Sequence, residues 1–498
     1  MRGKSMTKIE IKNLTFGYDL QNTLLFDHVD LTIANSWKLG LIGRNGRGKT
    51  TLLKLLQGQY EYRGKVIKQV NFVYFPQSIK NRDLTVIEIL NNQMQFEEWQ
   101  IRKELELLDI NEGILNLPFG KLSGGEQTKV LLALLFVDKN NFPLIDEPTN
   151  HLDIKSRKVV ANYLKTKKQG FILVSHDRTF VNQVVDHILA IERKKVALYH
   201  GDYQLYEIQK KLADNLQQEQ NEKTRKEITR LKQTYREKEN WAKSRETAGK
   251  GKNKKKAKMT SRPDDTVARN QMRRAKAIET RMDKKIEEKE TLIKNIDYVD
   301  QLNINFVKTR HNPLVKVRNL SLSFENHRLF EPISFEIKEG RQVAIIGENG
   351  TGKTSLIKSI FGGFEGNQTG KIEVANNISV SFVRQVFDEQ GTLADFANRN
   401  GINYQDLLNI LRKLGTDREV FLNRIEDMSL GQKKRVEFAR SLLVSAELYV
   451  WDEPLNYLDI YNRKQIEQLI TKYRPTMLII EHDSQFLSNI GAEVMELR

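Results

Sequence analysis

The feature that most constrains the fold is a series of short motifs that occurs twice in the chain. Lys49, in the segment GRNGRGKT, reappears as Lys353 in GENGTGKT, 304 residues later. A glutamine, a serine-led segment, an acidic pair, an Asn-x-Leu-Asp segment and a His-Asp pair follow in both halves, at shifts of 306 or 308 residues. Six matches in one order at a near-constant shift indicate a tandem duplication, so we expect two copies of one domain.

The repeated glycine-rich segment has the features of a phosphate-binding loop. In the first copy it follows an apolar run at 39–42 and precedes a helix-like apolar run, and the second copy has the same context. Such a strand–loop–helix arrangement lets backbone N–H groups surround phosphate at a helix N-terminus. Lys49 and Lys353 would neutralise the β- and γ-phosphates of ATP, while Thr50 and Thr354 would offer hydroxyls to Mg²⁺.

Two acidic residues end a further apolar strand in each copy. The runs FPLIDE and LYVWDE close with Asp146-Glu147 and Asp452-Glu453. The aspartate of each pair suits Mg²⁺, and the glutamate is placed to orient or deprotonate the attacking water. The glutamates are therefore the predicted catalytic residues.

A histidine closes another strand in each copy. His176 follows FILVS, and His482 follows MLIIE. A lone histidine after a strand is more often structural than catalytic. Its repetition one domain later favours a contact with the γ-phosphate and a catalytic role for both.

These elements, in this order, resemble the ABC ATPase family, whose signature is the segment LSGGEQ. The resemblance implies a head-to-tail nucleotide sandwich, in which Lys49 faces Ser429 of the second signature and Lys353 faces Ser123 of the first. The second signature, MSLGQK, has Leu430 where glycine is typical. Leu430 lacks the flexibility of glycine and adds bulk beside the γ-phosphate, so we expect the two sites to be unequal.

The resemblance also indicates which residues contact the nucleotide and its metal. Tyr18 and Phe324 precede their lysines by 31 and 29 residues, where the family stacks an aromatic ring on adenine. A core aromatic is the alternative for both. Gln77 and Gln385 would join the threonine and aspartate of their own copy at Mg²⁺. The predicted ATP contacts are Tyr18, Gly43, Asn45, Gly46, Gly48, Lys49, Thr50, Thr51, Gln77, Ser123, Gly124, Gly125, Glu126, Phe324, Gly347, Asn349, Gly350, Gly352, Lys353, Thr354, Ser355, Gln385, Ser429, Gly431 and Gln432.

Composition narrows the class of protein. The chain has 498 residues and no cysteine, which excludes a disulfide framework and a thiolate zinc site. The longest apolar run, 130–137, is far shorter than the roughly 20 residues that cross a bilayer. No hydrophobic stretch follows the first basic residues, so no secretory signal is expected. We therefore expect a cytoplasmic protein without a membrane partner.

Residues 203–310, between the two copies, have the pattern of long helices. Apolar residues recur at helical spacing over 205–235 and again over 278–296. The stretch 247–263 contains two glycines and a lysine run, which predicts a loop. We therefore expect a helical hairpin packed along one apolar stripe, with arms of about 40 residues and roughly 60 Å.

The excess positive charge is concentrated in this hairpin. The formal net charge of the chain is +17, and residues 203–310 contain 29 Lys and Arg against 17 Asp and Glu. Residues 243–276 alone contain 13 basic and three acidic residues. Charge on a loop is usually a solvated face, but this concentration favours a polyanionic partner that releases counterions on binding. The predicted RNA contacts are Trp241, Lys250, Lys252, Lys254, Lys255, Lys256, Lys258 and Met259.

A duplicated ABC protein with such a linker and no membrane domain resembles the ABC-F family of translation factors. In that family the linker enters the ribosomal exit-site region and points at the peptidyl-transferase centre. The segments LLFVDKNNFPLIDEPTNHLD and SAELYVWDEPLNYLD resemble the antibiotic-resistance branch, specifically the Lsa-type proteins. The resemblance implies a 70S ribosome partner, contacts with 23S rRNA and P-site peptidyl-tRNA, and displacement of lincosamides, pleuromutilins or streptogramin A.

Two alternative functions stay open at this point. A housekeeping ABC-F factor that rescues stalled ribosomes without a drug would use the same machinery. A cytosolic ATPase subunit of a transporter would also contain ATP sites, although the basic linker would then have no purpose. A DNA-repair ABC protein of the excision type needs cysteine-rich zinc modules, and this chain has no cysteine. No DNA partner is therefore expected.

The predicted architecture is of the α/β class. Two tandem ABC-type nucleotide-binding domains, at 6–202 and 311–498, are joined by an α-helical hairpin linker at 203–310. Because one chain supplies both domains, we expect a monomer with an intramolecular sandwich, which hydrolyses ATP with Mg²⁺.

Overall fold

The computed structural model describes residues 8–18, 24–150, 152–252, 300–325, 327–385 and 387–498. The chain divides into two compact units. One comprises Met1–Tyr206 together with Val299–Arg498, and the other comprises Glu207–Tyr298. Both copies of the repeated domain, here called the first and second cassettes, lie in the former unit.

The first cassette combines an antiparallel sheet with a larger, mainly parallel sheet. Its strands are β1 (Lys8–Phe16), β2 (Phe26–Ala34), β3 (Lys38–Ile42), β4 (Arg63–Ile67), β5 (Asn71–Phe75), β6 (Asn141–Asp146), β7 (Phe171–Val174), β8 (His187–Glu192) and β9 (Lys195–His200). Strand β1 pairs with β2 and β4, and the larger sheet has the order β5-β6-β7-β3-β8-β9. In the larger sheet β8 and β9 pair antiparallel, with Leu189 opposite Leu198, and the other pairs are parallel.

Helices cover the larger sheet of the first cassette and supply much of its core. They are α1 (Lys49–Gln57), α2 (Val86–Gln93), α3 (Glu98–Leu107), α4 (Gly124–Leu135), α5 (Ile154–Thr166) and α6 (Arg178–Val184), with 3-10 turns at Glu112–Asn116 and Phe119–Lys121. The side chains of Leu53 and Leu132 are fully buried. Burial of one such leucine contributes about 1.5–3 kcal/mol relative to exposure.

The second cassette repeats this plan. Its strands are β10 (Val315–Phe324), β11 (His327–Arg328), β12 (Ile333–Ile337), β13 (Gln342–Ile346), β14 (Asn367–Val374), β15 (Val380–Val383), β16 (Leu448–Asp452), β17 (Met477–Ile480) and β18 (Glu493–Glu496). Strand β10 pairs antiparallel with β11, β12 and β14. The parallel sheet has the order β15-β16-β17-β13-β18, so β13 occupies the place that β3 has in the first cassette.

The helices of the second cassette also follow the first. They are α8 (Lys353–Phe361), α9 (Leu393–Arg399), α10 (Tyr404–Lys413), α11 (Leu430–Leu443), α12 (Ile460–Tyr473) and α13 (Ser484–Ile490), with 3-10 turns at Arg418–Leu422 and Ile425–Asp427. Trp451 and Phe438 pack with ring centroids 4.9 Å apart in the core, where the Trp451 Nε1 donates to Ser441 Oγ. The predicted fold, two α/β nucleotide-binding domains with a helical segment between them, is confirmed.

The segment between the cassettes begins with a single long helix, α7 (Tyr203–Lys252). Its 50 residues correspond to about 75 Å at 1.5 Å per residue, longer than the predicted arm. The loop predicted from residue 247 is wrong for 247–252, which are helical. The alanine, arginine, glutamate and lysine residues around Gly249 and Gly251 favour a helix, which offsets a cost of about 1 kcal/mol per glycine. The second predicted arm, 278–296, lies outside the described residues.

The apolar residues at the start of α7 are less buried than the predicted stripe requires. Leu205, Ile208, Leu212 and Leu216 are 43–65% exposed, whereas Ile228 is buried. The helical spacing is therefore confirmed, and the packing of the two arms along this stripe stays a prediction, because the second arm lies outside the described residues. Helical spacing alone does not show what covers an apolar face.

Residues 302–307, which the predicted boundaries place in the linker, contact the second cassette. Leu302 and Ile304 belong to its core, and the Asn305 and Val307 amides donate to the carbonyls of Leu442 and Ala446. Among the described helices, none has the length and apolar composition of a membrane-spanning segment.

Candidate nucleotide sites

The phosphate loop of the first cassette joins β3 to α1. Helix α1 begins after Gly48, whose φ of 87° is left-handed, and a Cβ there would lie 2.6 Å from Leu25 Cδ2. Glycine is therefore required at this position. The Lys49 Nζ donates to the Gly43 carbonyl at 2.8 Å and lies 3.2 Å from Asn45 Oδ1. The ammonium group is thus held inside the loop, where phosphate binding needs it.

The loop between β13 and α8 has the same geometry. Gly352 has a φ of 82°, and the Lys353 Nζ donates to the Gly347 carbonyl at 3.0 Å and to the Glu348 carbonyl at 2.7 Å. Burial lowers the pKa of Lys353 and of Lys49, and nearby carboxylates oppose that shift. Both predicted phosphate loops therefore form as the sequence indicates.

Each predicted metal-binding aspartate meets the predicted threonine of its own loop. The Thr50 Oγ1 donates to Asp146 Oδ2 at 2.7 Å, and the Thr354 Oγ1 donates to Asp452 Oδ2 at 2.9 Å. Burial raises the pKa of Asp452 to about 6. Among the described residues no donor reaches the buried Asp452 Oδ1 or Gln77 Oε1. Mg²⁺ prefers such oxygen ligands, so these residues fit the ion.

The predicted catalytic glutamates both have a left-handed backbone. Glu147 has a φ of 53° and Glu453 a φ of 47°. Their amides donate to the carbonyls of Val174 at 2.8 Å and Ile480 at 2.9 Å, which holds each turn at the end of a neighbouring strand. A non-glycine residue in this region costs about 1–3 kcal/mol, and such strain is typical of residues aimed into a site.

Each predicted histidine lies beside the glutamate of its own cassette. The Nε2 to Oε1 distance is 3.2 Å between His176 and Glu147, and 3.8 Å between His482 and Glu453. Burial lowers the pKa of His176 well below its usual value and that of His482 to about 4. Burial, and next the charge of Asp146, raise the pKa of Glu147 to about 8. Both histidines are therefore neutral at pH 7 and can each donate one N–H.

The two predicted glutamines have different partners. The Gln77 Nε2 donates to the Leu131 carbonyl at 3.4 Å, whereas the Gln385 Nε2 donates to Glu453 Oε2 at 3.3 Å. The glutamine of the second cassette therefore contacts the predicted catalytic carboxylate, and that of the first cassette does not.

The two signature serines are the N-caps of α4 and α11. Ser123 forms a capping box with Glu126, and Ser429 forms one with Gln432. The partial positive charge of a helix N-terminus favours a bound phosphate. Leu430, the first residue of α11, is 64% exposed, so its bulk lies at the surface where the equivalent residue of α4 is glycine.

A cavity of about 790 Å³ joins the phosphate loop of the second cassette to the signature of the first. It places Lys353 and Ser123 around one space, as the head-to-tail arrangement predicts. Its predicted lining residues are Ser123, Gly124, Gly125, Glu126, Phe324, Asn349, Gly350, Gly352, Lys353, Thr354, Ser355, Gln385, Glu453 and His482. We call this cavity the second site.

The phosphate loop of the first cassette contacts the second cassette directly, in what we call the first site. The Asn45 amide donates to Asp459 Oδ2 at 2.7 Å, and the Asn45 Nδ2 donates to the Tyr457 carbonyl at 3.3 Å. A Cβ added to the signature residue Gly431 would lie 3.4 Å from the same carbonyl. Tyr457 thus connects the loop around Lys49 with the signature that begins at Ser429.

Several residues of these sites have no role in the sequence prediction. Asp153 and Asp459 end the repeated Asn-x-Leu-Asp segment, and each faces the opposite cassette. Lys129 lines the second site, and its repeat equivalent Arg435 is buried beside the first, where burial lowers its pKa. Their recurrence at a shift of 306 residues was a signal that could have identified them.

The aromatic residues predicted at adenine are exposed rather than buried in the core. Tyr18 is 37% exposed, and its hydroxyl hydrogen bonds to Thr51 Oγ1 at 2.8 Å. Phe324 is 47% exposed, lines the second site and packs near Phe364 with ring centroids 5.2 Å apart. This exposure favours the adenine role over the core alternative.

The predicted RNA contacts have no described side chains. The backbone of Trp241, Lys250 and Lys252 belongs to α7. The remaining contacts, Lys254, Lys255, Lys256, Lys258 and Met259, lie outside the described residues. Their proposed role therefore stays a prediction from charge and position.

Comparison with known proteins places both cassettes in one family. The ABC transporter family profile matches residues 26–150 and 330–456. The ribosome protection protein VmlR of Bacillus subtilis (strain 168) is 29% identical, over 96% of this chain and 85% of that protein. ABC transporter F family member 5 of Arabidopsis thaliana is 25% identical, over 98% and 75%.

Two solved structures share the fold at lower identity. The archaeal ribosome recycling factor aABCE1, in complex with the ribosomal stalk protein aP1, is 20% identical with a TM-score of 0.64. It aligns with 97% of this chain and 87% of its own. A structure of RNase-L Inhibitor is 19% identical with a TM-score of 0.65 and the same coverage.

Replacement of both predicted catalytic glutamates by glutamine should block turnover without blocking ATP binding. The change removes the carboxylates that activate water, while Lys49 and Lys353 still neutralise the phosphates. We expect Glu147→Gln with Glu453→Gln to lower kcat about 100-fold or more. Phosphate release and binding of a fluorescent ATP analogue are the measurements. The exposed Glu98→Gln is the control, and unchanged hydrolysis in the double variant would contradict the assignment.

The two sites should differ in rate, because Leu430 occupies the position that Gly124 has in the other signature. The single variants Glu147→Gln and Glu453→Gln should leave different residual ATPase activities. Leu430→Gly should bring those activities closer together, since it restores the glycine of the first signature. Single-turnover hydrolysis by each variant measures this. Equal residual rates before and after the Leu430 change would show that the leucine is neutral.

Proposed function

Because this chain belongs to the ABC-F family of ATPases, we propose that it acts on the 70S ribosome in the cytoplasm. We assign it to the antibiotic-resistance branch of Lsa type. Its linker would contact 23S rRNA and the P-site peptidyl-tRNA near the peptidyl-transferase centre. This contact would displace lincosamides, pleuromutilins or streptogramin A, and ATP hydrolysis would release the protein.

The relative VmlR supports this proposal, because its name describes a ribosome protection protein. The similarity covers 96% of this chain, so it includes the segment between the cassettes as well as the cassettes themselves. A match confined to the cassettes would have supported ATP hydrolysis alone.

The charge of the linker supports a nucleic-acid partner. Residues 203–310 carry most of the net positive charge, and the basic region 243–276 begins within the last turns of α7. Charge concentrated in one segment of a chain is suited to bind the phosphates of a polyanionic partner. This distribution is the observation that carries the proposal beyond ATP hydrolysis.

The chemistry at each site follows from the residues around it. In their ionised forms, Glu147 and Glu453 would accept a proton from the attacking water as its oxygen bonds to the γ-phosphorus and the bond to the β-phosphate oxygen breaks, giving ADP and phosphate. With its pKa raised to about 8, Glu147 is ionised in only a minority of molecules at pH 7, and those molecules are the ones able to accept the proton. His176 and His482, both neutral, would each donate an N–H to the γ-phosphate. Mg²⁺, when bound, would draw negative charge from the β- and γ-phosphates. Its ligands would be Thr50, Asp146 and Gln77 in the first cassette and Thr354, Asp452 and Gln385 in the second.

Expression of this chain should protect cells against a subset of ribosome-targeting drugs. Minimal inhibitory concentrations in a sensitive host, with and without the gene, measure the effect across a panel. We expect an increase for lincosamides, pleuromutilins or streptogramin A and none for drugs that act outside the peptidyl-transferase centre. Because hydrolysis is needed for release, the double glutamine variant should not protect. No increase for any drug would favour the alternative of a drug-independent ABC-F factor.

Replacement of six linker lysines by glutamine should weaken ribosome binding and flatten its salt dependence. The variant changes Lys250, Lys252, Lys254, Lys255, Lys256 and Lys258, none of which lies in a cassette. Each lost phosphate contact should reduce the slope of log affinity against log salt by about 0.7 to 0.9. Co-sedimentation with ribosomes across a salt series measures this.

The matched control changes six lysines of the cassettes that lie away from both sites. Suitable positions are Lys8, Lys12, Lys65, Lys139, Lys338 and Lys371. We expect the control to keep the parental slope, and both variants to keep the parental ATPase rate without ribosomes. Equal slopes for the linker variant and the parent would show that the RNA contacts lie elsewhere.

Trp241→Ala should instead spare binding and reduce drug protection, because stacking on a base is independent of charge.

A further inference from the structure

Tyr461 contacts the phosphate loop of the first site from the opposite cassette. It is the second residue of α12, two residues after Asp459. The guanidinium carbon of Arg44 lies 5.6 Å from the centre of the Tyr461 ring. Arg44 stands between Gly43 and Asn45 in the loop that holds Lys49. One face of the tyrosine therefore meets the element that surrounds the phosphates.

The hydroxyl of Tyr461 reaches the first turn of α7. It hydrogen bonds with the hydroxyl of Tyr206, which is buried. The Tyr206 ring packs against Tyr199, at 5.0 Å between centroids, and near Tyr203, at 6.0 Å. Burial raises the pKa of Tyr206 far above its usual value, so the phenol stays neutral and able to donate. Tyr461 thus joins the loop to the helix that leads into the linker.

The start of α12 is also fixed to the first cassette on either side of Tyr461. The Asp459 Oδ2 accepts a hydrogen bond from the Asn45 amide at 2.7 Å. The Ile460 carbonyl accepts from Arg178 Nη2 at 2.8 Å, and the Ile460 side chain belongs to the same core as Tyr203 and Tyr206. The Arg178 guanidinium is also paired with Glu467, about two turns farther along α12. Movement of this turn would therefore displace residues at the root of α7.

The second site has no equivalent of this tyrosine. The residue that the repeat aligns with Tyr461 is Lys155, which is exposed on α5. The second phosphate loop has Glu348 in the place of Arg44, and Lys155 has neither an aromatic ring nor a hydroxyl. Helix α7 starts from the first cassette, beside α12. The contact between ATP site and linker root is therefore built at the first site.

We propose that Tyr461 is the positioning residue that couples nucleotide occupancy of the first site to the first turn of α7. ATP bound at Lys49 would hold the phosphate loop, and with it Arg44, in one position. Arg44 would in turn hold the Tyr461 ring, and the Tyr461 hydroxyl would hold Tyr206. The second site would act on the linker only through closure of the cassettes. The functional role of this coupling rests on the proposed function, in which the linker contacts the ribosome.

The two hydroxyls of one hydrogen bond allow a sharp test. The full-length Glu147→Gln, Glu453→Gln protein is the background, because it holds ATP without turnover. Hydrogen exchange of the amides at 203–212, with and without ATP, is followed by mass spectrometry in the absence of ribosomes. We expect ATP to slow this exchange in the background protein. Tyr461→Phe should reduce the ATP-dependent slowing about threefold to tenfold, the range for one net hydrogen bond.

Tyr206→Phe and the double variant decide whether the hydrogen bond is responsible. Each single change removes the same bond and keeps both rings, so Tyr206→Phe should match Tyr461→Phe and the double variant should lose no more than either. Lys155→Ala, at the equivalent position of the first cassette, should keep the full response. All variants should still bind a fluorescent ATP analogue at both sites, which shows that the sites remain folded. Because coupling is reciprocal, the phenylalanine variants should lose ATP affinity at the first site by the same threefold to tenfold, and Lys155→Ala should keep the parental affinity.

Three results would overturn the proposal. The first is that ATP does not change the exchange at 203–212 in the background protein. The second is that the phenylalanine variants keep the full response to ATP. The third is that the losses of the two single variants add up in the double variant. Failure of the chain to bind ribosomes would leave this assay unaffected. The coupling and the proposed function can therefore fail separately.

Discussion

The rest of the structure depends on one buried carboxylate that serves two elements. The Asp459 side chain is only 3% exposed. Its Oδ1 accepts a hydrogen bond from the Asn462 amide and so caps α12. Its Oδ2 accepts a hydrogen bond from the Asn45 amide in the phosphate loop of the opposite cassette. A helix cap alone is worth about 1 kcal/mol, and a charge-assisted bond to a backbone N–H is about twice as strong as a neutral one. Because one carboxylate accepts both bonds, the start of α12 and the loop around Lys49 can keep their conformations only together. Asp153 repeats the design, since it caps α5 through the Ser156 amide and lines the second site.

The parts of the fold that the sequence predicts are those in which a local pattern determines the structure. Buried parallel strands such as β6 and β16 are continuous apolar runs ended by acids, and each glycine loop must precede a helix. The repeat then supports every assignment twice. The family resemblance predicted that each phosphate loop faces the opposite signature. The individual bond between Asn45 and Asp459 was not predictable, because the two residues are separated by 414 residues and nothing local to either indicates the other. The loop predicted from residue 247 failed for a different reason: two glycines weaken a helix, but a helix of 50 residues with strong helix-forming neighbours tolerates their cost.

The two sites contain the same residue types in different surroundings. In the first, the glutamate lies 3.2 Å from its histidine and its pKa is raised to about 8, chiefly by burial. In the second, the histidine is 3.8 Å away and the carboxylate instead accepts hydrogen bonds from Gln385 and Asn456. Leu430 is thus one of several differences, and the inequality of the sites does not depend on the signature alone.

Under the coupling proposed for Tyr461, an ATP site would influence α7 through a mechanical contact at its first turn. At physiological ionic strength the Debye length is about 8 Å, so the charge of a bound nucleotide is screened within the first turns of the helix. Trp241 is 38 residues beyond Tyr203 on α7, which corresponds to about 57 Å along the axis. Field effects do not extend that far, whereas a helix transmits rotation or displacement of its first turn along its length. Tyr203 and Tyr206 lie in the first turn of α7, which is where a displacement transmitted through the proposed Tyr461 contact would enter the helix.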